Sequence, residues 1–242
     1  NGEGLQHQDG HSQVVASTVP NLLSYDPAFA FELAVIVREG IRRMYEVQEN
    51  IFYYITVTNE NHPMPAMPEG VEAGILKGIY RFRQSEVASH LRVHLLGSGA
   101  IMYQVMQAQE ILARYGVSAD IWSVTSYNEL YRDAMACERW NRLHPDQPER
   151  IPYVTRVLQD ERGCFIAASD YLKVLSQRIA NWIPGPLTSL GTDGYGLSEA
   201  RPELRDHFEV SAAHIALAAL HRLAQDGKLS RERVKAAIQE LG

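Results

Sequence analysis

The feature that most constrains the fold is a regular alternation of short apolar runs with longer amphipathic segments after residue 92. Four runs have the length and the β-branched or apolar character of buried strands: residues 93–96, 119–125, 164–168 and 186–190. The segments between and after them predict helices that end at Tyr115, start at Ser126 with a capping box to Glu129, run from Ser169 or Asp170 to Trp182, and span residues 211–225 and 230–241. This alternation is typical of an α/β fold with a mostly parallel sheet and helices on both faces.

The chain before residue 60 predicts part of another β-α-β layer. Residues 14–16 are expected to form a short strand, and residues 51–58 a second strand that is rich in β-branched and aromatic residues. Asp26 and Pro27 predict a helix start, because Asp is a common cap and Pro is tolerated at the first helical position. The predicted helix carries one apolar stripe at helical spacing: Ala30, Leu33, Ala34, Val37, Ile41 and Met44.

A proline-rich connector separates these two parts of the chain. Residues 62–70 contain three prolines within six positions, which excludes a helix or a central strand and favours a stiff extended segment. We therefore place a domain boundary near residue 70. Residues 1–70 are expected to be the end of one α/β domain, and residues 71–242 to be a second one.

Composition excludes several classes of function. The net charge of −6 argues against nonspecific binding to nucleic acid, which needs a basic face. No apolar run approaches the roughly 18 residues of a membrane span. Cys137 and Cys164 are too few for a disulfide framework. We expect a cytoplasmic protein that binds neither nucleic acid nor membranes.

The first eleven residues predict a functional loop. They contain three glycines, two histidines and two acids around a single apolar residue, Leu5, which suits neither a helix nor a strand. Loops of this kind present ionisable groups more often than they pack. Because the chain opens without methionine inside this stretch, we interpret it as the carboxyl-terminal part of a longer protein.

Two motifs admit other interpretations. His7, Asp9 and His11 offer a ligand set that suits zinc or a related ion, although Gly10 disfavours the helix that a His-Glu-x-x-His site requires. Gly97-Ser98-Gly99 after a strand resembles the start of a dinucleotide fingerprint, but Met102 stands at the third glycine position. We favour a tight strand-to-helix turn there.

Several blocks of sequence resemble one family along the whole chain. They are residues 2–12, residues 59–61 with 64–70, residues 95–99, residues 191–196 and residues 207–210, in the family's order. The family is the homodimeric type of pyruvate dehydrogenase, the thiamine-diphosphate-dependent decarboxylating component of the pyruvate dehydrogenase complex. The resemblance implies the end of a pyrimidine-binding domain followed by a transketolase-type carboxyl-terminal domain.

The resemblance also implies site residues. It places His7 in the active centre, in contact with the substrate-derived part of the thiamine adduct, where a histidine donates a hydrogen bond or exchanges a proton. It places Glu3 in the same pocket as a second acid that tunes the charge around His7. Asp9 and His11 match the motif too, and they are as well explained as braces of the loop.

The cofactors implied are thiamine diphosphate and magnesium, with their anchors outside this chain. The family holds the diphosphate through magnesium with Gly-Asp-Gly and an asparagine some 25 to 30 residues later. Asp193 lies in the stretch Gly191-Thr192-Asp193-Gly194, but no asparagine follows it, because Asn181 is the last asparagine of the chain. We therefore expect residues 191–196 to form a turn at the carboxyl edge of the sheet.

The implied partners are a second copy of the chain, the dihydrolipoyl acetyltransferase core with its lipoyl domain, and a 2-oxo acid. The implied reaction is decarboxylation of pyruvate and transfer of the two-carbon fragment to the lipoyl group. The isolated chain is expected to be inactive. Two alternatives remain: the same chemistry on another acid such as 2-oxobutyrate, and a noncatalytic dimerisation or docking module.

Overall fold

The structure, a computed structural model, describes residues 9–241, and its first part is a β-α-β unit. Two short strands pair in parallel, with Leu22 opposite Phe52 and Tyr25 opposite Ile55. The elements are α1 (Ser12–Ala16), β1 (Leu22–Tyr25), α2 (Ala30–Ile41), a π-helical turn at Arg42–Glu46, and β2 (Phe52–Ile55). The strand expected within residues 51–58 is confirmed, in a shorter form.

The strand predicted at residues 14–16 is wrong, because this segment is helical. The Asp9 carboxylate accepts hydrogen bonds from the Ser12 N–H (2.9 Å) and from its hydroxyl (2.5 Å), which starts the turn. Gln13 is buried against β1, where its amide donates to the Tyr25 carbonyl, and Asn128 donates to the carbonyl of Gln13. These contacts come from distant parts of the chain and favour the helix over a strand.

The predicted start and inner face of α2 are also wrong. The helix begins at Ala30. The N–H groups of Ala28 and Phe29, just before the helix, donate to the carboxylate of Glu32, so Asp26 is not the cap. The residues turned inward are Glu32, Val35, Ile36 and Gly40, whereas Ala30, Ala34, Val37 and Ile41 of the predicted stripe are exposed and Leu33 and Met44 are half-buried. Apolar residues cover more than one face of this helix, so spacing alone did not identify the buried one.

The chain then runs through the connector into the larger part of the fold. Its helices are α3 (Glu72–Lys77), α4 (Met102–Arg114), α5 (Tyr127–Leu143), α6 (Tyr153–Leu158), α7 (Lys173–Gln177), α8 (Arg201–His207), α9 (Ala212–Gln225) and α10 (Arg231–Leu241). Its strands are β3 (Tyr80–Arg83), β4 (Arg92–Gly97), β5 (Ser118–Ser123), β6 (Cys164–Ala168) and β7 (Leu187–Leu190).

These five strands form one sheet in the order β3-β5-β4-β6-β7. Only β3 is antiparallel to its neighbour, and the other four strands run parallel. The prediction of an α/β fold with a mostly parallel sheet is confirmed. Every residue of β5 and β6 is buried, which explains why β6 is a continuous apolar run rather than an alternating one.

Helices cover both faces of this sheet. Val93, Leu95 and Ile166 point to the core shared with α4, α9 and α10, whereas Leu96 and Phe165 point to the core shared with α5, α6 and α7. A third, smaller core joins β1 and α2 to Ile75 and Tyr80. None of the helices in residues 9–241 is long and apolar enough to cross a bilayer.

Two of the predicted helices differ in detail from expectation. Ser126 accepts from the Glu129 N–H at 3.0 Å, as the predicted capping box requires, but the Glu129 carboxylate pairs with Arg132. The single helix expected up to Trp182 is instead α7 and a short 3₁₀ turn at Ala180–Trp182. The domain boundary near residue 70 stays a prediction.

Candidate functional site

A cavity with a volume of about 770 Å³ opens where β2, β4, β6 and β7 end. Each strand contributes the residues that follow it: Thr56 after β2, Gly99 after β4, Asp170 after β6 and Thr192 after β7. Helix α8 adds Arg205 to the wall. In α/β folds, ligands gather at the carboxyl ends of parallel strands, so this cavity is the candidate site.

Asp26 is an acid of the cavity wall whose carboxyl group is buried. Its Oδ1 accepts a hydrogen bond from the Thr56 hydroxyl at 2.7 Å, whereas its Oδ2 is buried and has no hydrogen-bond partner among residues 9–241. Burial raises the pKa of Asp26 to about 7, with smaller contributions from the charges of Asp170 and Glu32. The nearby Thr56 and Ser98 hydroxyls lower this pKa and offset part of the effect. The side chain therefore changes charge near neutral pH.

The glycine turn after β4 makes room for this carboxyl group. Gly99 has a φ of +47°, and a Cβ at this position would lie 2.5 Å from Oδ2 of Asp26. The Gly99 N–H also donates to the Asp26 carbonyl at 3.1 Å. The predicted tight strand-to-helix turn is confirmed. An acidic side chain seated on it would repel a pyrophosphate, which further disfavours dinucleotide binding.

Two other acids, Asp170 and Asp9, line the same cavity. Burial raises the pKa of Asp170, the charge of Arg205 lowers it, and the charge of Asp9 raises it. The hydroxyl of Tyr54 lies 3.4 Å from Oδ2 of Asp9. Because the Asp9 carboxylate also accepts from Ser12 at the start of α1, its role as a brace of the loop, one of the two interpretations offered by the sequence, has direct support.

The two arginines of the cavity wall, Arg201 and Arg205, form ion pairs with one acid that the sequence analysis did not predict. Glu60, two residues before the connector, pairs with Arg205 at 2.7 Å and with Arg201 at 3.6 Å. Burial opposes ionisation of Glu60, but the positive charges of Arg205, His62 and Arg201 outweigh it and lower the pKa. About 145 residues separate Glu60 from these arginines in sequence, so no local pattern signals the contact.

His7 and Glu3, the predicted catalytic residues, lie outside the described residues. The described end of the same stretch does reach the cavity, because Asp9 lines it and the Gly10 carbonyl accepts from the Leu172 N–H at 3.0 Å, just before α7. His11 is exposed. The metal set of His7, Asp9 and His11 likewise includes a residue outside the described range.

Within residues 9–241, one group of potential metal ligands has its atoms within 4.8 Å of one another: His94, Asp120 and Glu161. Nδ1 of His94 accepts from the Trp122 ring N–H at 3.3 Å. Nε2 of His94 lies 3.2 Å from the Arg162 carbonyl. Arginines pair with both acids. Both ring nitrogens are therefore used, and the group is a satisfied buried cluster rather than a metal site.

The loop at residues 191–196 is a structural turn, as expected. Oδ1 of Asp193 accepts from the Lys173 N–H at 2.9 Å at the start of α7, and the Thr192 hydroxyl donates to the Asp170 carbonyl at 2.8 Å. A Cβ at Gly191 would collide with the Tyr171 carbonyl. Because Asp193 is used by this turn, it does not suit a magnesium-diphosphate anchor, and we assign it no step in a reaction.

Comparisons with known proteins agree with this architecture. Residues 1–65 match the family model described as the pyruvate dehydrogenase E1 component middle domain, and residues 78–211 match the model of the transketolase-like C-terminal domain. Solved transketolases share the fold: one from Pichia stipitis has a TM-score of 0.64 at 16% identity, over 95% of this chain and 29% of its own. One from Leishmania mexicana has a TM-score of 0.59 at 14% identity, over 93% and 28%.

Curated relatives are much more similar in sequence. The pyruvate dehydrogenase E1 component of Escherichia coli strain K12 is 51% identical over 241 residues, which cover 98% of this chain and 27% of the relative. The E1 component of Pseudomonas aeruginosa is 50% identical over 244 residues, with 100% and 28% covered. The chain thus spans about a quarter of the length of these relatives, and the resemblance drawn from its motifs is confirmed. Since the transketolase-like C-terminal domain model covers more than half of the chain, the chain belongs to that family.

Proposed function

We propose that this chain is the carboxyl-terminal part of a pyruvate dehydrogenase E1 component. The reaction is the thiamine-dependent oxidative decarboxylation of pyruvate with transfer of the acetyl group to a lipoyl group. The observation that carries the proposal is an identity of about 50% to such components along the whole chain. The transketolase structures alone would support only the fold, because their identity to this chain is far lower.

Within this reaction, His7 is the residue proposed to act on the substrate. A histidine supplies a hydrogen-bond donor to the developing alkoxide and exchanges protons near neutral pH. Glu3 is proposed to adjust the charge around it. Support comes from the neighbouring Asp9, which lines the cavity only two residues after His7 in sequence.

Thiamine diphosphate would supply the carbanion chemistry of decarboxylation. The described residues do not fit its magnesium-diphosphate anchor, since Asp193 is used in a turn. We therefore propose that the anchors lie outside this chain. It follows that the isolated chain should neither bind thiamine diphosphate tightly nor decarboxylate pyruvate. Calorimetry with thiamine diphosphate and magnesium tests this, and tight binding by the chain alone would contradict the proposal.

The decisive variant is His7→Ala in the full-length enzyme that carries this chain. Turnover of pyruvate should fall by roughly 10²-fold or more, the usual contribution of a general acid or base, while the affinity for thiamine diphosphate changes little. His221→Ala, an exposed histidine of α9, is the matched control and should retain activity. Equal turnover of the two variants would remove His7 from the proposed site.

The proposed partners are a second copy of the chain and a dihydrolipoyl acetyltransferase core. An exposed apolar strip on and after α2, made of Val37, Ile41 and Tyr45, supports association with another protein surface. The mass of the full-length enzyme in solution and a pull-down with the acetyltransferase core test these partners.

Cys137 and Cys164 are both free, which supports the proposed cytoplasmic location. Comparing turnover of pyruvate with that of 2-oxobutyrate distinguishes the two substrate acids.

A further inference from the structure

Asp26 lies in the cavity wall with its position fixed from several sides. Its N–H donates to the Thr125 carbonyl at 2.8 Å, beyond the end of β5, and its carbonyl accepts from Gly99 beyond the end of β4. The Thr56 hydroxyl holds Oδ1, and the absence of a side chain at Gly99 leaves space for the carboxyl group. None of this geometry is used by the function proposed for His7 and Glu3.

The charges around Asp26 are mainly negative. Asp170 and Glu32 act on Asp26 directly, and Asp9 acts on Asp170. Arg201 and Arg205 also line the cavity, but both are paired with Glu60. The other titratable or hydroxyl groups that face Asp26 are those of Thr56, Ser98, Tyr127 and Tyr171.

The two tyrosines stay neutral near physiological pH. Burial, with a further contribution from the charge of Asp26, raises the pKa of both Tyr127 and Tyr171 well above the ordinary value. Glu32 is held by four hydrogen-bond donors in the core. Asp26 is therefore the acid of the inner cavity whose charge changes near neutral pH, and the pKa of the neighbouring Asp170 is also raised.

We infer that the charge state of Asp26 controls how well the cavity accepts an anionic 2-oxo acid: the neutral acid admits the anion and the carboxylate repels it. The inference rests on the proposed function. Asp26 acts through the electric field of the cavity, and we assign it no contact with the reacting atoms. A charge in a partly buried wall acts through an effective dielectric constant of about 20, so its effect is several times larger than in bulk water.

The test is the pH dependence of KM for pyruvate in the full-length enzyme with thiamine diphosphate and magnesium. The wild-type KM, divided by that of Asp26→Asn at the same pH, should be close to one at about pH 5.5. It should rise to about tenfold at about pH 8.5, which is the size of effect expected from the repulsion of one unit charge through that dielectric constant. Asparagine is neutral, and its side-chain carbonyl still accepts from Thr56, so the variant mimics the protonated acid. Taking the ratio cancels any titration of His7 that is common to both enzymes.

A second variant moves the transition instead of removing it. The Thr56 hydroxyl stabilises the carboxylate of Asp26, so Thr56→Val should shift the rise in KM to higher pH. Asp170→Asn tests whether the neighbouring acid is responsible. Asp146→Asn, an exposed acid after α5, is the control that should follow the wild type at every pH.

The outcomes separate the inference from the function beneath it. A wild-type enzyme that does not turn over pyruvate overturns both. An active enzyme whose KM ratio stays at one across the range overturns the inference alone, and so does a profile abolished by Asp170→Asn but kept by Asp26→Asn. A ratio that rises with pH, together with a transition displaced upward in Thr56→Val, supports it.

Discussion

The Glu32 carboxylate accepts four hydrogen bonds inside the core. The donors are the N–H groups of Ala28 and Phe29 and the hydroxyls of Tyr80 (2.6 Å) and Ser123 (2.5 Å). Glu32 is fully buried, and burial raises its pKa although each of these donors lowers it. One acid on α2 therefore joins the small sheet to β3 and β5 of the large one.

We expect Glu32→Gln to destabilise the chain by roughly 2 to 3 kcal/mol, because the amide oxygen can accept from the two N–H groups only if the NH₂ group faces the two hydroxyls, which then lose the acceptor of their own hydrogens. The measurement is the free energy of unfolding in urea. Glu39→Gln on the same helix is the control. The ion pair of Glu39 with Arg42 lies at the surface and contributes about 1 kcal/mol or less to the free energy of unfolding. Similar losses for both variants would show that the buried contacts of Glu32 carry no special weight.

His94 predicts how stability depends on pH. Burial lowers its pKa below the usual 6.5, so the folded chain holds a neutral ring while the unfolded chain takes up a proton below about pH 6.5. The unfolded state then binds more protons, and stability is lost as pH falls from about 6.5 through the folded-state pKa.

His94→Gln should reduce this pH dependence, since glutamine does not titrate. Urea unfolding at a series of pH values from about 5 to 7 measures the slope. The exposed His90→Gln is the matched control and should keep the wild-type slope. An unchanged slope in His94→Gln would assign the dependence to other groups.

At the scale of elements, helix α8 and residues 59–62, which lead into the connector, hold each other in place. Arg205 pairs with Glu60, Arg201 donates to the Asn59 side-chain carbonyl at 2.7 Å, and the His62 ring stacks on Tyr103 of α4 with 3.7 Å between ring centres. The prolines keep the connector extended, and these contacts keep it against the cavity.

Arg205→Met should loosen this segment without changing the sheet, because it removes the closest charge partner of Glu60. Cleavage by proteinase K within residues 59–69, followed by mass spectrometry, should become several-fold faster. Arg142→Met, on the exposed end of α5, should leave the rate unchanged. If both variants are cut at the wild-type rate, the prolines alone hold the connector.

The elements that sequence predicted well are those whose burial is complete. The bounds of β6 match the prediction residue for residue, because all its residues are apolar and enclosed by helices on both faces. The elements that the sequence did not predict depend on contacts between distant residues. Asn128 donates to the carbonyl of Gln13 in α1, and the partners of Glu32 on β3 and β5 stabilise the inner face of α2.

The candidate site was predictable only in part for the same reason. The glycine turn at residues 97–99 was identified, but its purpose depends on Asp26, which local pattern assigned to a helix cap. Glu60 lies in a matched motif, yet its arginine partners are on a helix near the other end of the chain. His7 and Glu3, predicted from the family resemblance, stay predictions.

For the molecule as a whole, the cores are continuous across the two sheets. Ala28 and Phe29 belong to the main core, and the Phe29 ring lies 4.6 Å from that of Phe82, centre to centre. The three tryptophans, at residues 122, 140 and 182, all lie in the larger part. Their fluorescence therefore reports on the larger part of the fold.

We expect both parts to unfold in one transition, because separating them would expose this shared core. Tryptophan fluorescence in urea and hydrogen exchange of the amides in β1 and β2 should give the same midpoint. A lower midpoint for the amides of β1 and β2 would show that the small sheet unfolds by itself.

The backbone of residue 26 is tied to the chain just beyond the ends of β4 and β5. Any tilt of the small sheet against the large one must therefore strain these hydrogen bonds. The shape of the cavity and the position of its titrating acid consequently depend on the same contacts between the sheets.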